Sequence, residues 1–166
     1  MNNLINQKGF TVIELMVTLL IAVILMAYGI PSYREFGLRQ AVTNEANSLI
    51  SDLTYARVTA IKEGKSVVVL SKDGSDWSKG WDIFLDDGDV SSGGPTYSPI
   101  TDVLLRNVQN VSNSLVLEGQ AGSGIIGFNN VGNANFQNII DVSHPSTTKK
   151  VVVRVSASGM ITSRKL

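Results

Sequence analysis

The sequence predicts an α+β protein: a long, kinked N-terminal helix packed on an antiparallel sheet. Three observations carry that reading. Residues Phe10 to Ile30 form an apolar run of 21 residues with one charge, Glu14. From Leu38 to Ala60 apolar residues recur every three or four positions. After Gly64 the chain changes to short β-prone runs separated by Gly, Ser and Asn.

The apolar run comes first. As a helix it spans roughly 31 Å at about 1.5 Å per residue, the thickness of a hydrocarbon core of about 30 Å. A spanning backbone in lipid must satisfy its own polar groups, and a helix does so. Glu14 is the anomaly, because a charge inside such a segment costs roughly 2.5–3.5 kcal/mol by insertion scales. That cost calls for a partner, which makes Glu14 a candidate functional residue. Two plainer readings compete: a membrane anchor, and a cleaved signal peptide with an n-region from Met1 to Lys8 and small residues at Ala27-Tyr28-Gly29. The second predicts a mature chain starting at Ile30. Neither uses a carboxylate in its apolar core.

The stripe Leu38, Val42, Ala46, Leu49, Leu53, Ala56 and Ala60 is one face of an amphipathic helix. Arg39, Thr43, Asn44, Asn47 and Asp52 are read as lying off it. Pro31 removes a backbone hydrogen bond at the junction and predicts a kink. Gly64 supplies the stop. The strand expectations are Val67–Leu70, Trp81–Leu85, Val103–Leu105, Leu115–Leu117, Gly124–Phe128, Ile139-Ile140, Val151–Val155 and Met160-Ile161. Such runs, punctuated by turn residues, read as antiparallel sheet. The helix stripe buries against that sheet. Trp77 and Trp81 read as core or loop anchors. The segment Ser91–Pro99 and the Asn-rich turns from Asn129 to Asn138 read as connectors or contact surfaces.

Composition excludes much. Lys plus Arg equals Asp plus Glu at 14 each, so net charge names no partner. No cysteine is present, so thiolate metal sites, thiol nucleophiles and disulfides are excluded. Asp86-Asp87-Gly88-Asp89 lacks the ligand spacing of a calcium loop and reads as a solvated turn. His144, the single histidine, sits beside Pro145 and reads as a surface loop residue. Gly119, Gly122 and Gly124 flank Ser123 without the Lys-Ser/Thr of a phosphate loop. No enzyme, cofactor or metal is expected. From Val142 onward the chain holds no acid, while Lys149, Lys150, Arg154, Arg164 and Lys165 are basic. On a strand, Lys150, Val152 and Arg154 share one face, and the basic side chains either attract phosphates or guard a sheet edge.

Gly9-Phe10-Thr11-Val12-Ile13-Glu14-Leu15, preceded by Lys8, resembles the leader of type IV pilins and pseudopilins. Leu53-Thr54-Tyr55-Ala56-Arg57, Ala60-Ile61-Lys62, Asp73-Gly74, Trp77, Gly80 to Phe84 with Asp86, and Gly127 to Gly132 are similar to the GspH/FimT branch of minor pilins and pseudopilins. The resemblance implies cleavage by a prepilin peptidase between Gly9 and Phe10 and N-methylation of Phe10. It makes Glu14 the fifth mature residue and Pro31 the twenty-second, where many pilins carry a helix-kinking proline. It gives Glu14 the Phe10 α-amine of a neighbouring subunit as partner. It divides the chain into a prepilin leader 1–9, a transmembrane and filament-core helix 10–30, an amphipathic helix 31–63 and a periplasmic β-rich head 64–166. Its implied partners are other minor pilins, the major pilin, the prepilin peptidase and the inner-membrane assembly platform. Lys8 against Arg34 and Arg39 does not fix orientation by charge. The resemblance places the N-terminus in the cytoplasm and the head in the periplasm, as a single-pass inner-membrane protein that enters a pilus or a type II secretion pseudopilus, at assembly initiation or at the tip. Some FimT-like members bind DNA in natural transformation through a C-terminal Gly-Arg-x-Arg. Here Gly159 is followed by Met160, and the arginine comes only at Arg164.

Overall fold

The structure, a computed structural model, describes residues 9–86, 102–109, 111, 115–120 and 124–166. Residues 1–8, Asp87-Gly88-Asp89, Ser91–Pro99 and Gly122-Ser123, all read from the sequence above, lie outside the described residues. The elements are α1 (Val12–Glu63), β1 (Ser66–Asp73), β2 (Asp76–Asp86), β3 (Val103–Val108), β4 (Val116–Gly119), β5 (Ile125–Phe128), β6 (Ala134–Phe136), β7 (Ile139–Ser143), β8 (Lys150–Val155) and β9 (Ile161–Lys165). The chain forms two compact units, Met1–Gly37 and Leu38–Leu166.

In the first unit α1 runs through Pro31 without ending. The missing N–H there leaves the Ala27 carbonyl without its helical donor. The best window of this helix has a mean hydropathy of 2.4, and none of it is buried among the described residues.

The second unit is built around the stripe. Val42, Ala46, Leu49, Leu53, Ala56 and Ala60 are all buried, and Leu38 is half-buried. Three of these are alanines, which let a helix approach a sheet closely. The partner is a nine-stranded antiparallel sheet in the order β6-β5-β1-β2-β4-β7-β8-β9, with β3 also on β2. Alternate strand residues supply the other half of the core: Val67 and Val69 of β1, Trp77, Trp81 and Ile83 of β2, Ile126 and Phe128 of β5, and Val151, Val153 and Val155 of β8.

Polar links fix the helix on this sheet. Asp52 of α1 is only 4 % exposed. It accepts from Trp81 Nε1 at 3.0 Å and pairs with Arg106 of β3. The Arg106 guanidinium lies 4.7 Å from the Tyr55 ring centroid. Asp52 therefore belongs to the buried face, which corrects its sequence reading. It falls three residues after Leu49, on the stripe by spacing, and its charge is satisfied there by two donors. Further along α1, Arg57 donates from Nε to the Gly132 carbonyl at 2.9 Å and from a terminal nitrogen to the Ser158 carbonyl at 3.2 Å. These carbonyls belong to the β5–β6 and β8–β9 turns. The same turns touch directly: Ala134 N–H donates to the Ala157 carbonyl at 3.0 Å. Arg57 thus ties both ends of the sheet to one helix.

Two further sequence readings are corrected. His144 is buried, with 8 % of its surface exposed, because its Nδ1 accepts the Ser146 N–H at 3.0 Å and folds the β7–β8 link inward. The Asn129–Asn138 segment is more than a connector, since it contains β6. Asn129 Oδ1 accepts the N–H groups of Val131 and Asn133, which shapes the turn into that strand.

Two measurements probe this packing. Gly159 has φ of 71°, and a Cβ built there would sit 1.9 Å from the Gly132 carbonyl oxygen. Gly159→Ala is expected to lower the unfolding free energy by about 2 kcal/mol or more, read by denaturant melts of the detergent-solubilised chain. Burial, and then the nearby charge of Asp52, hold the half-buried Glu45 carboxyl above its ordinary range. An acid raised in the folded state costs nothing while protonated. Its penalty grows as pH rises from the unfolded value of about 4.3 through the folded value. Glu45→Gln is therefore expected to raise Tm at pH 7 and leave it unchanged at pH 3.

Candidate functional site

The first candidate group surrounds the start of α1. Val12 is the first helical residue, so Thr11 is the N-cap and Glu14 the third residue of the first turn. The two side chains satisfy each other. Glu14 Oε2 accepts from Thr11 N–H at 2.8 Å and from Thr11 Oγ1 at 2.8 Å. Thr11 Oγ1 accepts from Glu14 N–H at 3.3 Å. This is a reciprocal capping box, and its Thr-x-x-Glu spacing stands in the sequence. Glu14 therefore has a local partner for one oxygen. Its Oε1 retains acceptor capacity.

Gly9 and Phe10 precede the cap in exposed, non-helical chain, and Phe10 is 86 % exposed. Nothing lies within 4 Å of a Cβ built at Gly9. Among the described residues nothing packs where a side chain at this position would lie. Among the described residues nothing covers the bond between Gly9 and Phe10.

From Phe10 to Ile30 large apolar side chains stand exposed, with Val12, Ile13, Leu15, Met16, Leu19, Leu20, Val23 and Leu25 among them. Exposure on this scale exceeds the few hundred Å² of apolar patch that a soluble surface tolerates. Lipid or other apolar helices are the media that suit it.

The third candidate group is the basic C-terminal segment. Strand β8 shows the expected alternation, with Val151, Val153 and Val155 buried and Lys150, Val152 and Arg154 turned the other way. The register pairs Arg154 with Thr162 and Val152 with Arg164. Arg154 and Arg164 thus share the face turned away from α1. The structure does not bring all five basic residues together. Lys150 is paired with Asp141 of β7 at 2.6 Å. Lys165 stands in register with Val151, on the opposite face from Arg164. Lys149 precedes β8, with its N–H on Thr147 Oγ1 at 3.4 Å. Asp141 was not singled out from sequence, because its pairing with Lys150 emerges only once the β7–β8 register is known. Among the described residues no group of three or more His, Cys, Asp or Glu is placed to hold a metal.

Comparisons with known proteins agree with this geometry. A family model described as type II transport protein GspH matches residues 45–159. A prokaryotic N-terminal methylation motif matches residues 4–29. A fimbrial protein of Pseudomonas aeruginosa is 48 % identical over 62 residues, covering 37 % of this chain and 40 % of the relative. Prepilin peptidase-dependent protein D of Escherichia coli K12 is 38 % identical over 58 residues, 35 % of this chain and 40 % of that protein. This chain thus spans well under half the length of the curated relatives it matches. Among solved structures, the type IV minor pilin FimU of Pseudomonas aeruginosa PAO1 superposes with a TM-score of 0.58 at 19 % identity, over 79 % of this chain and 90 % of that one.

The capping box yields one expectation. Thr11→Val keeps the shape and removes the hydroxyl, which costs about 1 kcal/mol of local helix stability. Amide exchange in the first turn, read in detergent, should then quicken roughly fivefold. Unchanged exchange would mean that the Thr11–Glu14 pair does not hold the helix start.

Proposed function

The chain belongs to the GspH family of minor pilins and pseudopilins, and from that premise we propose that it is a filament subunit made as a single-pass inner-membrane precursor. Its N-terminus faces the cytoplasm and its head the periplasm. A prepilin peptidase cuts between Gly9 and Phe10 and methylates Phe10. The subunit then joins a type IV pilus or a type II secretion pseudopilus, at assembly initiation or at the tip, beside other minor pilins and the major pilin and through the inner-membrane assembly platform.

The observation that carries this reading is the pairing of an exposed Gly9–Phe10 bond with an uncovered apolar helix. Among the described residues nothing crowds Gly9, which leaves the bond free for an enzyme to handle. The apolar surface of α1 suits lipid before assembly and neighbouring helices afterwards.

Glu14 serves both settings. Oε2 caps its own helix, which softens the cost of a carboxylate near the lipid boundary. Oε1 is the atom left to accept a bond from the Phe10 α-amine of a neighbouring subunit. A paired charge in a water-poor helical shaft costs far less than a lone one, and a misplaced subunit leaves both charges unpaired. The pair therefore selects register. Pro31, with the Ala27 carbonyl it frees, gives the helix a place to adjust where the apolar run ends.

Capping and charge pairing are separable. Glutamine at the third helical position still completes a capping box, yet carries no charge. Glu14→Gln and Glu14→Ala are both expected to insert and to be cut normally, with both then absent from sheared filaments in immunoblots. Normal incorporation of the glutamine variant would remove the charge-pairing role and leave capping as the function of Glu14.

A further inference from the structure

Two hollows adjoin on the sheet face turned away from α1. One has a volume of about 450 Å³ and the other about 470 Å³, and both are lined by Gln120, Ile139 and Arg154. The second is also lined by Thr162 and Arg164. The two arginines stand diagonally across the β8–β9 pair. Among the described residues neither guanidinium has a carboxylate partner, whereas the neighbouring Lys150 is neutralised by Asp141. Strand β9 ends the sheet, and its outer edge pairs with no other strand among the described residues. This edge is exposed from Thr162 to Lys165.

These features combine. Two like charges fixed on adjacent strands repel, and a bound anion relieves both. A guanidinium takes a carboxylate through two parallel N–H bonds. An open strand edge offers its backbone groups to an extended chain. In such an added strand alternate side chains face the same way, so every second residue would reach the arginine face. We propose that the β8–β9 face docks an extended acidic segment of a neighbouring subunit, which adds to the β9 edge and sets carboxylates against Arg154 and Arg164.

Charge distribution favours an acidic peptide over duplex DNA. Only two of the five basic residues line the hollow. The same face continues into acid, since Glu118 of β4 pairs in register with Asp141. A duplex presents one charge per about 1.7 Å and binds through a run of cations. Two guanidinium groups bounded by carboxylates suit two acids rather than a phosphate track. The identity of the partner as a subunit rests on the filament reading. Peptide binding is measured without filaments, so its failure is distinct from failure of that reading.

The test uses the full chain in detergent and a short fluorescein-labelled peptide of alternating Glu and Val, with an alternating Gln and Val peptide and a short DNA duplex beside it. The Glu peptide is expected to bind and the Gln peptide not to. Arg154→Ala and Arg164→Ala, checked for unchanged melting, should each weaken binding about tenfold, with Lys165→Ala as wild type. Equal binding of both peptides, no binding of either, unchanged affinity in the arginine variants, or duplex DNA binding tighter than the Glu peptide at the same salt would each overturn the proposal.

Discussion

The structure depends on one constraint: a single helix must satisfy two different surroundings along its length. From Val42 to Ala60 the helix turns its apolar stripe onto a sheet of its own chain. From Phe10 to Ile30 its apolar side chains stand exposed among the described residues. The hydrophobic effect acts on both halves alike, in proportion to apolar area removed from water. What differs is the supplier of that burial. The head supplies its own, and in the proposed function lipid and then other subunits supply it to the N-terminal half. The chain is therefore two physical objects joined by continuous helical backbone, folded at one end and incomplete alone at the other.

Apolar burial does not by itself fix how a helix sits on a sheet, because it is non-directional. The buried polar contacts of the head supply direction. Asp52 fixes one point through Trp81 and Arg106. Arg57 fixes another through two turn carbonyls. Moving the helix by one turn would strand a buried carboxylate and leave two turns unheld. Buried ion pairs are weak evidence for stability, yet their loss on misalignment is costly. In the proposed filament the same logic reappears at Glu14, where local capping would make a carboxylate tolerable and the remaining oxygen would make position matter. One chain thus satisfies a carboxylate twice, at Asp52 inside its head and at Glu14 in the first turn of its helix.

Much of the fold was legible in the sequence because periodicity reports burial. The stripe was readable from its threes and fours, and β8 from the alternation of Val151, Val153 and Val155. What was missed shares a cause. Asp52 is charged, so its residue type argues against burial although its spacing places it on the stripe. Strand β6 spans only Ala134–Phe136 within an Asn-rich stretch, and three residues are too few for its alternation to stand out. His144 is buried by a turn hydrogen bond that no pattern announces. The Asp141–Lys150 pair joins residues that become neighbours only through register. The Thr11–Glu14 cap stands in the sequence as a four-residue motif embedded in an apolar run. Local and periodic information was readable, and contacts made by topology were not.

The central claim is that the uncovered half of α1 is retained, and that the chain is opened at the bond the fold leaves accessible. The intact mass of the protein extracted from membranes tests it most directly. The account predicts a chain that begins at Phe10 and carries one added methyl group. A chain that keeps residues 1–9, or one that begins at Ile30 and has lost the apolar helix, would contradict it.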